Sequence, residues 1–165
     1  MKILYEIGEI EIAIDTVGAK LEYIKRNGKE ILNNCRICIP NYGVDKTFRY
    51  PTDGLFVDKK YDVVSKSEDM CVLRCVDTGL ESFVVYQFTN EKIVLDVNVT
   101  NNSETFVKMK PAIIFDLCDG DTSVNCDLKK GNSAYFFAEF DSQKQNKKFS
   151  LPSNEKCKIY SEIRL

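Results

Sequence analysis

From Glu9 to Asp15 the order is Glu-Ile-Glu-Ile-Ala-Ile-Asp. Ile10, Ile12 and Ile14 therefore share one face and charges the other, a period of two that only a half-buried strand satisfies. The same signature recurs at Lys20 to Lys25, Lys29 to Asn33, Tyr61 to Ser65, Met70 to Val76, Ser82 to Thr89, Lys92 to Thr100, Thr105 to Phe115, Ser123 to Leu128, Ala134 to Phe140 and Lys156 to Ile163, each run bounded by turn residues. No window holds apolar residues at helical spacing behind a cap. Asn27-Gly28 joins two such runs with the residues a tight hairpin turn requires, and Thr89-Asn90-Glu91 separates Phe83-Val84-Val85-Tyr86 from Ile93-Val94-Leu95, so neighbouring strands are expected to run antiparallel. The expected fold is an all-β antiparallel β-sandwich, one domain over residues 1–165 with no linker or repeat; the polar stretch Asp141 to Lys148 is short enough to be a loop.

Composition narrows the chemistry. Lys and Arg number 23 against 25 Asp and Glu, without a long run of either sign. A sequence-independent grip on nucleic acid or anionic lipid is therefore not expected, which leaves small molecules and proteins as partners. The chain has no Trp and no His, so the usual proton shuttle near neutral pH is absent and any acid–base work falls to carboxylates, Lys, Tyr or Cys. Glu6 interrupts any apolar signal segment, and no apolar run reaches the roughly 18 residues of a membrane span, so a cytoplasmic location is expected. The seven cysteines, scattered through apolar strands, are expected as reduced thiols. In that setting the glycosylation-type triplets at Asn98 and Asn101 carry no meaning.

The order of particular turns carries a resemblance. Asp15-Thr16-Val17-Gly18-Ala19-Lys20-Leu21-Glu22-Tyr23-Ile24, followed by Lys25-Arg26-Asn27-Gly28-Lys29-Glu30-Ile31-Leu32, resembles the opening of aldose 1-epimerase (galactose mutarotase) family proteins. Ile39-Pro40-Asn41-Tyr42-Gly43 is similar to a proline–glycine turn near that family's sugar pocket, and Asp53-Gly54-Leu55-Phe56 to its His-Gly-Phe-Ala. Tyr61-Asp62-Val63-Val64, the strand ending Val97 to Ser103, and the turn Phe149 to Glu155 continue the likeness toward the C-terminus. It implies a supersandwich of antiparallel sheets whose open face holds a monosaccharide or sugar phosphate. It also implies, for active members, a reaction in which a carboxylate deprotonates the anomeric hydroxyl while an acid, normally His, protonates the ring oxygen.

The departures from that pattern fall on the catalytic positions. Asp53 stands where the motif has its first His, Val57 and Val44 stand where it has arginines, and the stretch Pro111 to Asp116 holds no second His. The chain is shorter than full-length members, with the loss between about Phe115 and Ala134. Glu139, within Phe136-Phe137-Ala138-Glu139-Phe140, resembles the catalytic glutamate. The expectation is a truncated domain that recognises carbohydrate without standard epimerase activity and needs no cofactor. Two alternatives stand beside it: an isomerase working with carboxylates alone, Glu139 as base and Asp53 as acid, and a protein-binding module whose exposed sheet face or edge pairs with itself, as a homodimer, or with another chain.

Glu139, Asp53 and Asp116 are the candidate ligand-binding residues. By strand alternation Glu139 would share a face with Tyr135 and Phe137, a partly apolar setting that disfavours an ionised carboxylate. Pro51-Thr52-Asp53-Gly54 also makes a tight turn unaided. Asp116, Asp119 and Asp121 crowd three carboxylates, yet their spacing is not that of a calcium loop, and an Asp-Gly turn explains the same residues, so no metal is expected. Cys35-Arg36-Ile37-Cys38 has CxxC spacing without a second ligand pair, and Cys71 and Cys75 read as small core residues. Phe48, Tyr50 and Phe56 could stack on a sugar ring, although most aromatics of a small sandwich belong to its core.

Overall fold

The computed structural model describes residues 1–46, 49–118, 123–140 and 150–165. Alternation in the sequence becomes sixteen strands: β1 (Lys2–Ile7), β2 (Ile10–Asp15), β3 (Lys20–Arg26), β4 (Lys29–Cys38), β5 (Asp62–Lys66), β6 (Met70–Asp77), β7 (Leu80–Phe88), β8 (Lys92–Asn101), β9 (Val107–Lys108), β10 (Ala112–Leu117), β11 (Ser123–Val124), β12 (Leu128–Lys130), β13 (Ser133–Phe137), β14 (Glu139–Phe140), β15 (Ser150–Leu151) and β16 (Lys156–Arg164). A short 3-10 turn spans Phe56–Asp58. One sheet has the order β1-β2-β3-β4-β10-β13-β12, and the other β11-β16-β8-β7-β6-β5 with β14 also on β16; β9 and β15 form a small third pair. Every pairing between these described strands is antiparallel, as expected from the hairpin residues for sequential neighbours.

The two large sheets close on one core. Strict alternation of buried and less buried residues along β7, β8 and β16 aims Val84, Tyr86, Leu95, Val97, Ile159 and Ile163 inward, against Ile12, Ile14, Leu21, Ile24, Ile37 and Phe115 of the facing sheet. Buried phenols satisfy their hydroxyls across the gap. Tyr86 donates to the Ala19 carbonyl at 2.7 Å and Tyr5 to the Met70 carbonyl at 2.9 Å, while Tyr61 donates to Ser82 at 3.1 Å. Phe56, expected as a possible sugar platform, is a core residue. Cys35 and Cys38 lie on opposite faces of β4, because a separation of three in a strand reverses the side, so they cannot act as a CxxC pair. All seven cysteines are free thiols, with Cys71 and Cys75 in the core as read.

Some boundaries differ from the sequence reading for identifiable reasons. Lys2–Ile7 is an additional edge strand, with Ile3 and Tyr5 inward. The run from Thr105 to Phe115 breaks at Pro111, which supplies no N–H to a ladder, and sends Val107–Lys108 to β15 and Ala112–Leu117 between β4 and β13. Ser123 to Leu128 and Ala134 to Phe140 each begin in one sheet and end in the other. At the Asn27-Gly28 turn both residues have positive φ, 51° and 76°, as a type I′ hairpin demands. Phe48, the proposed Asp119-Gly120-Asp121 turn, the loop from Asp141 to Lys148 and Phe149 lie outside the described residues.

Burial sets an alkaline limit on stability. Desolvation pushes the Cys35 thiol up to about 12 from an ordinary 9.0 and holds the Tyr5, Tyr61 and Tyr86 phenols above their ordinary 10.0. Because these groups ionise more readily in the unfolded chain, their stabilisation is complete below the unfolded values and is lost as pH rises toward the folded ones. Urea denaturation is expected to give a midpoint insensitive to these groups up to about pH 8 and falling steadily above about pH 9.

Candidate functional site

The face of the larger sheet turned away from the core is assembled by the same alternation that builds the core. Cys35 and Ile37 of β4, Ile113 and Phe115 of β10, and Ala134 and Phe136 of β13 point inward. Their neighbours therefore point out, in rows that cross the three strands. Cys38, Ala112 and Phe137 form one row, and Arg36, Ile114 and Tyr135 the next. Asp116 and Ser133 continue the series, beside Asn34 of β4.

Asn34 has φ of 50° and sits where the β4–β10 register slips, a left-handed position that Asn tolerates better than most residues. The bulge turns its amide toward Asp116, to which it donates at 2.7 Å, and Ser133 donates to the other Asp116 oxygen at 2.7 Å. Asp116 is thus held by two neutral donors on a half-buried surface. Two residues along β4 from Asn34, the Arg36 guanidinium pairs with Asp53 at 3.3 Å, with side-chain exposures of 34% and 17%.

Asp53 occupies a tight turn, as its sequence foretold, with the Gly54 N–H bonded to the Pro51 carbonyl at 3.0 Å. Its carboxylate does not serve that turn. It accepts from the Gly43 N–H at 2.7 Å and from Arg36, reaching from one loop to another and to the sheet. Gly54 makes this approach possible: at φ of 88° its Cα lies so close to β4 that an added Cβ would stand 2.5 Å from the Ile39 carbonyl carbon.

Beside these polar groups stands an aromatic wall. Tyr42 lies 6.2 Å from Tyr135 and 5.5 Å from Phe137, centroid to centroid, with the Lys110 ammonium 5.0 Å from the Tyr42 ring. Tyr42, Lys110, Pro111, Phe137, Ala138 and Phe140 line a cavity of about 280 Å³. Two polar atoms here are shielded from solvent and lack hydrogen-bond partners among the described residues: Arg36 Nε and Asn41 Oδ1. Native interiors rarely leave such atoms unpaired. The Cys38 thiol in the same patch is pushed up, first by burial and then by the Asp53 charge, so it presents a neutral SH.

The structure brings Asp53 and Asp116 onto one face and takes Glu139 elsewhere. The chain leaves the larger sheet after Phe137, so Glu139 does not share a face with Tyr135 and Phe137. It is exposed on β14, opposite Lys158 of β16, whose ammonium pairs with Asp96 at 2.7 Å on the outside of the other sheet. Tyr50 is half-buried, with its backbone N–H bonded to Asp45, and stands outside the aromatic wall. No group of three or more potential metal ligands converges among the described residues. Arg36, Asn34, Ser133 and Tyr42 were not singled out from sequence. The available signal was an arginine between Cys35 and Ile37, a charge that alternation must place on the face opposite a core.

No protein-family model and no curated protein matches the chain. Solved structures do. A galactose mutarotase related enzyme from Lactobacillus acidophilus superposes with a TM-score of 0.71 at 11% identity, the match covering 99% of this chain and 97% of that one. A galactose mutarotase-like protein from Lactobacillus casei gives 0.70 at 11% identity over 99% of both chains. A proposed aldose 1-epimerase from Escherichia coli K12 gives 0.72 at 10% identity, over 99% and 98%. With superposition over nearly the whole chain and antiparallel strands throughout the described sheets, the chain has the galactose mutarotase-like fold.

Proposed function

We propose that the outer face of the β4-β10-β13 sheet binds a monosaccharide and does not turn it over. The observation that carries this reading is the partly exposed Arg36–Asp53 pair, with Arg36 Nε unpaired among the described residues, next to an aromatic wall. A sugar offers what this surface lacks. Vicinal hydroxyls can donate to a carboxylate and accept from a guanidinium at once, and the apolar C–H face of a pyranose packs on Tyr and Phe rings. Asp116, oriented by Asn34 and Ser133, supplies a second carboxylate for hydroxyl recognition.

Turnover is a separate matter. Anomer exchange needs one group to take the anomeric proton and another to protonate the ring oxygen. The chain contains no imidazole, and the expected base, Glu139, is exposed on β14, paired with β16 of the other sheet, and does not share a face with Tyr135 and Phe137. Asp53, the expected acid, accepts two N–H hydrogen bonds and is committed to holding a loop.

The test is saturation-transfer NMR with a panel of free and phosphorylated aldohexoses. Transfer to at least one sugar, lost in Asp116→Asn, is the expected result. The absence of transfer to every member of the panel would remove the proposal.

A further inference from the structure

We infer that β1 is a self-complementary edge through which two copies of this chain join their larger sheets into one. Among the described residues β1 ends that sheet with only β2 as a neighbour, and its pairing runs from Lys2↔Asp15 to Ile7↔Ile10 without a register slip. The other long free edge, β5, is bulged between Val63 and Ser65, and β12 is three residues carrying Lys129 and Lys130. Bulges, prolines and lysines are the usual devices that blunt an edge; β1 has no bulge and no proline, and its one lysine, Lys2, is already paired with Glu22.

The backbone fixes which register is possible. The Thr16 N–H bonds to the Met1 carbonyl at 2.9 Å, and Met1 stands opposite Thr16 in the β1–β2 register, so the odd residues of β1 aim their polar backbone groups at β2. Hydrogen-bonded and non-bonded pairs alternate along an antiparallel ladder, which leaves the N–H and C=O of Lys2, Leu4 and Glu6 directed at the open edge. A second copy related by a two-fold axis must match even residues with even residues. Centred on Leu4, that register sets Lys2 opposite the second copy's Glu6, Leu4 opposite Leu4, and Glu6 opposite Lys2.

The side chains agree with the backbone. In hydrogen-bonded pairs opposite residues share a face, so each end of the joint brings an ammonium against a carboxylate while the 62%-exposed Leu4 side chains meet at the centre. Lys2 now reaches Glu22 at 2.9 Å on the same face, which places its charge on the surface the joint needs. Ile3 and Tyr5 stay in the core, so joining requires no repacking. Self-complementarity of this kind is the condition for a closed isologous dimer.

Sedimentation velocity over a concentration series tests the joint. Wild type is expected to show a reversible monomer–dimer equilibrium. Glu6→Lys, which sets two like pairs in opposition, should weaken association by about tenfold or more, and Lys2→Glu combined with Glu6→Lys should recover it. Leu4→Pro removes an outward N–H that β2 does not use and should leave a folded monomer, checked by circular dichroism. A wild type monomeric at every concentration would overturn the inference. So would a dimer whose strength neither Glu6→Lys nor Leu4→Pro changes, since that dimer would use another surface.

Discussion

Gly54→Ala is expected to be the most damaging single-methyl change in the protein. The new Cβ would collide with the Ile39 carbonyl and stand 3.0 Å from the Asn41 carbonyl oxygen, while φ of 88° is a conformation L residues rarely adopt. Backbone strain of about 1–2 kcal/mol adds to an overpacking cost of about 1–3 kcal/mol. The sum, about 3 kcal/mol, corresponds to a fall of about 10 °C in Tm for a chain of this size. Gly28→Ala provides the comparison, since Gly28 also has positive φ, 76°, but an added Cβ would meet nothing within 4 Å. It should cost only about 1 kcal/mol, the strain without the collision. Equal losses for the two variants in thermal unfolding would show that the close approach of the Asp53 loop to β4 is not real.

Arg36→Met should abolish sugar saturation transfer while leaving the fold intact. Hydrogen bonds from charged donors are each worth about 1.5–3 kcal/mol, so losing the guanidinium should weaken binding by about ten- to a hundredfold. Asp53 would keep its Gly43 N–H but lose its counter-charge, at 17% side-chain exposure. Arg36→Lys is expected to fall between, because an ammonium supplies charge without the planar fork that reaches two acceptors at once. Titrations of the three proteins with one sugar, alongside thermal melts, separate lost recognition from lost structure. Full binding by Arg36→Met would place the sugar elsewhere.

Period-two patterning made most of the architecture legible before any coordinates, because a strand half-buried in a sandwich must alternate. Ile10, Ile12 and Ile14 show this, and so does the long ladder of β8 with β16. Alternation says nothing about which sheet a strand joins, however. Tyr135, Phe137 and Glu139 keep the same period, yet the chain changes sheet at Ala138, so Glu139 pairs with β16 and leaves the face of Tyr135 and Phe137. A carboxylate's face was readable only while its strand stayed in one sheet.

The site shows the same division. Asp53 was legible as the acid of a tight turn next to a glycine, but its partners Gly43 and Arg36 lie 10 and 17 residues away, and no local rule reports them. Asp116 was visible as a carboxylate, whereas its orientation depends on Asn34, 82 residues earlier, in a β4 that extends five residues past its expected end at Asn33. The run from Asn34 to Cys38 was obscured because its cysteines look like a metal motif when read without the strand that separates them.

Exchange spectroscopy on the anomers of a bound hexose tests the recognition-only site most directly, since binding and interconversion are read from one sample. A site without an imidazole and without Glu139 should show saturation transfer from protein to sugar while α and β forms exchange at the rate found in buffer alone. Anomer exchange accelerated in proportion to protein concentration, and persisting after chelation of metal ions, would contradict it.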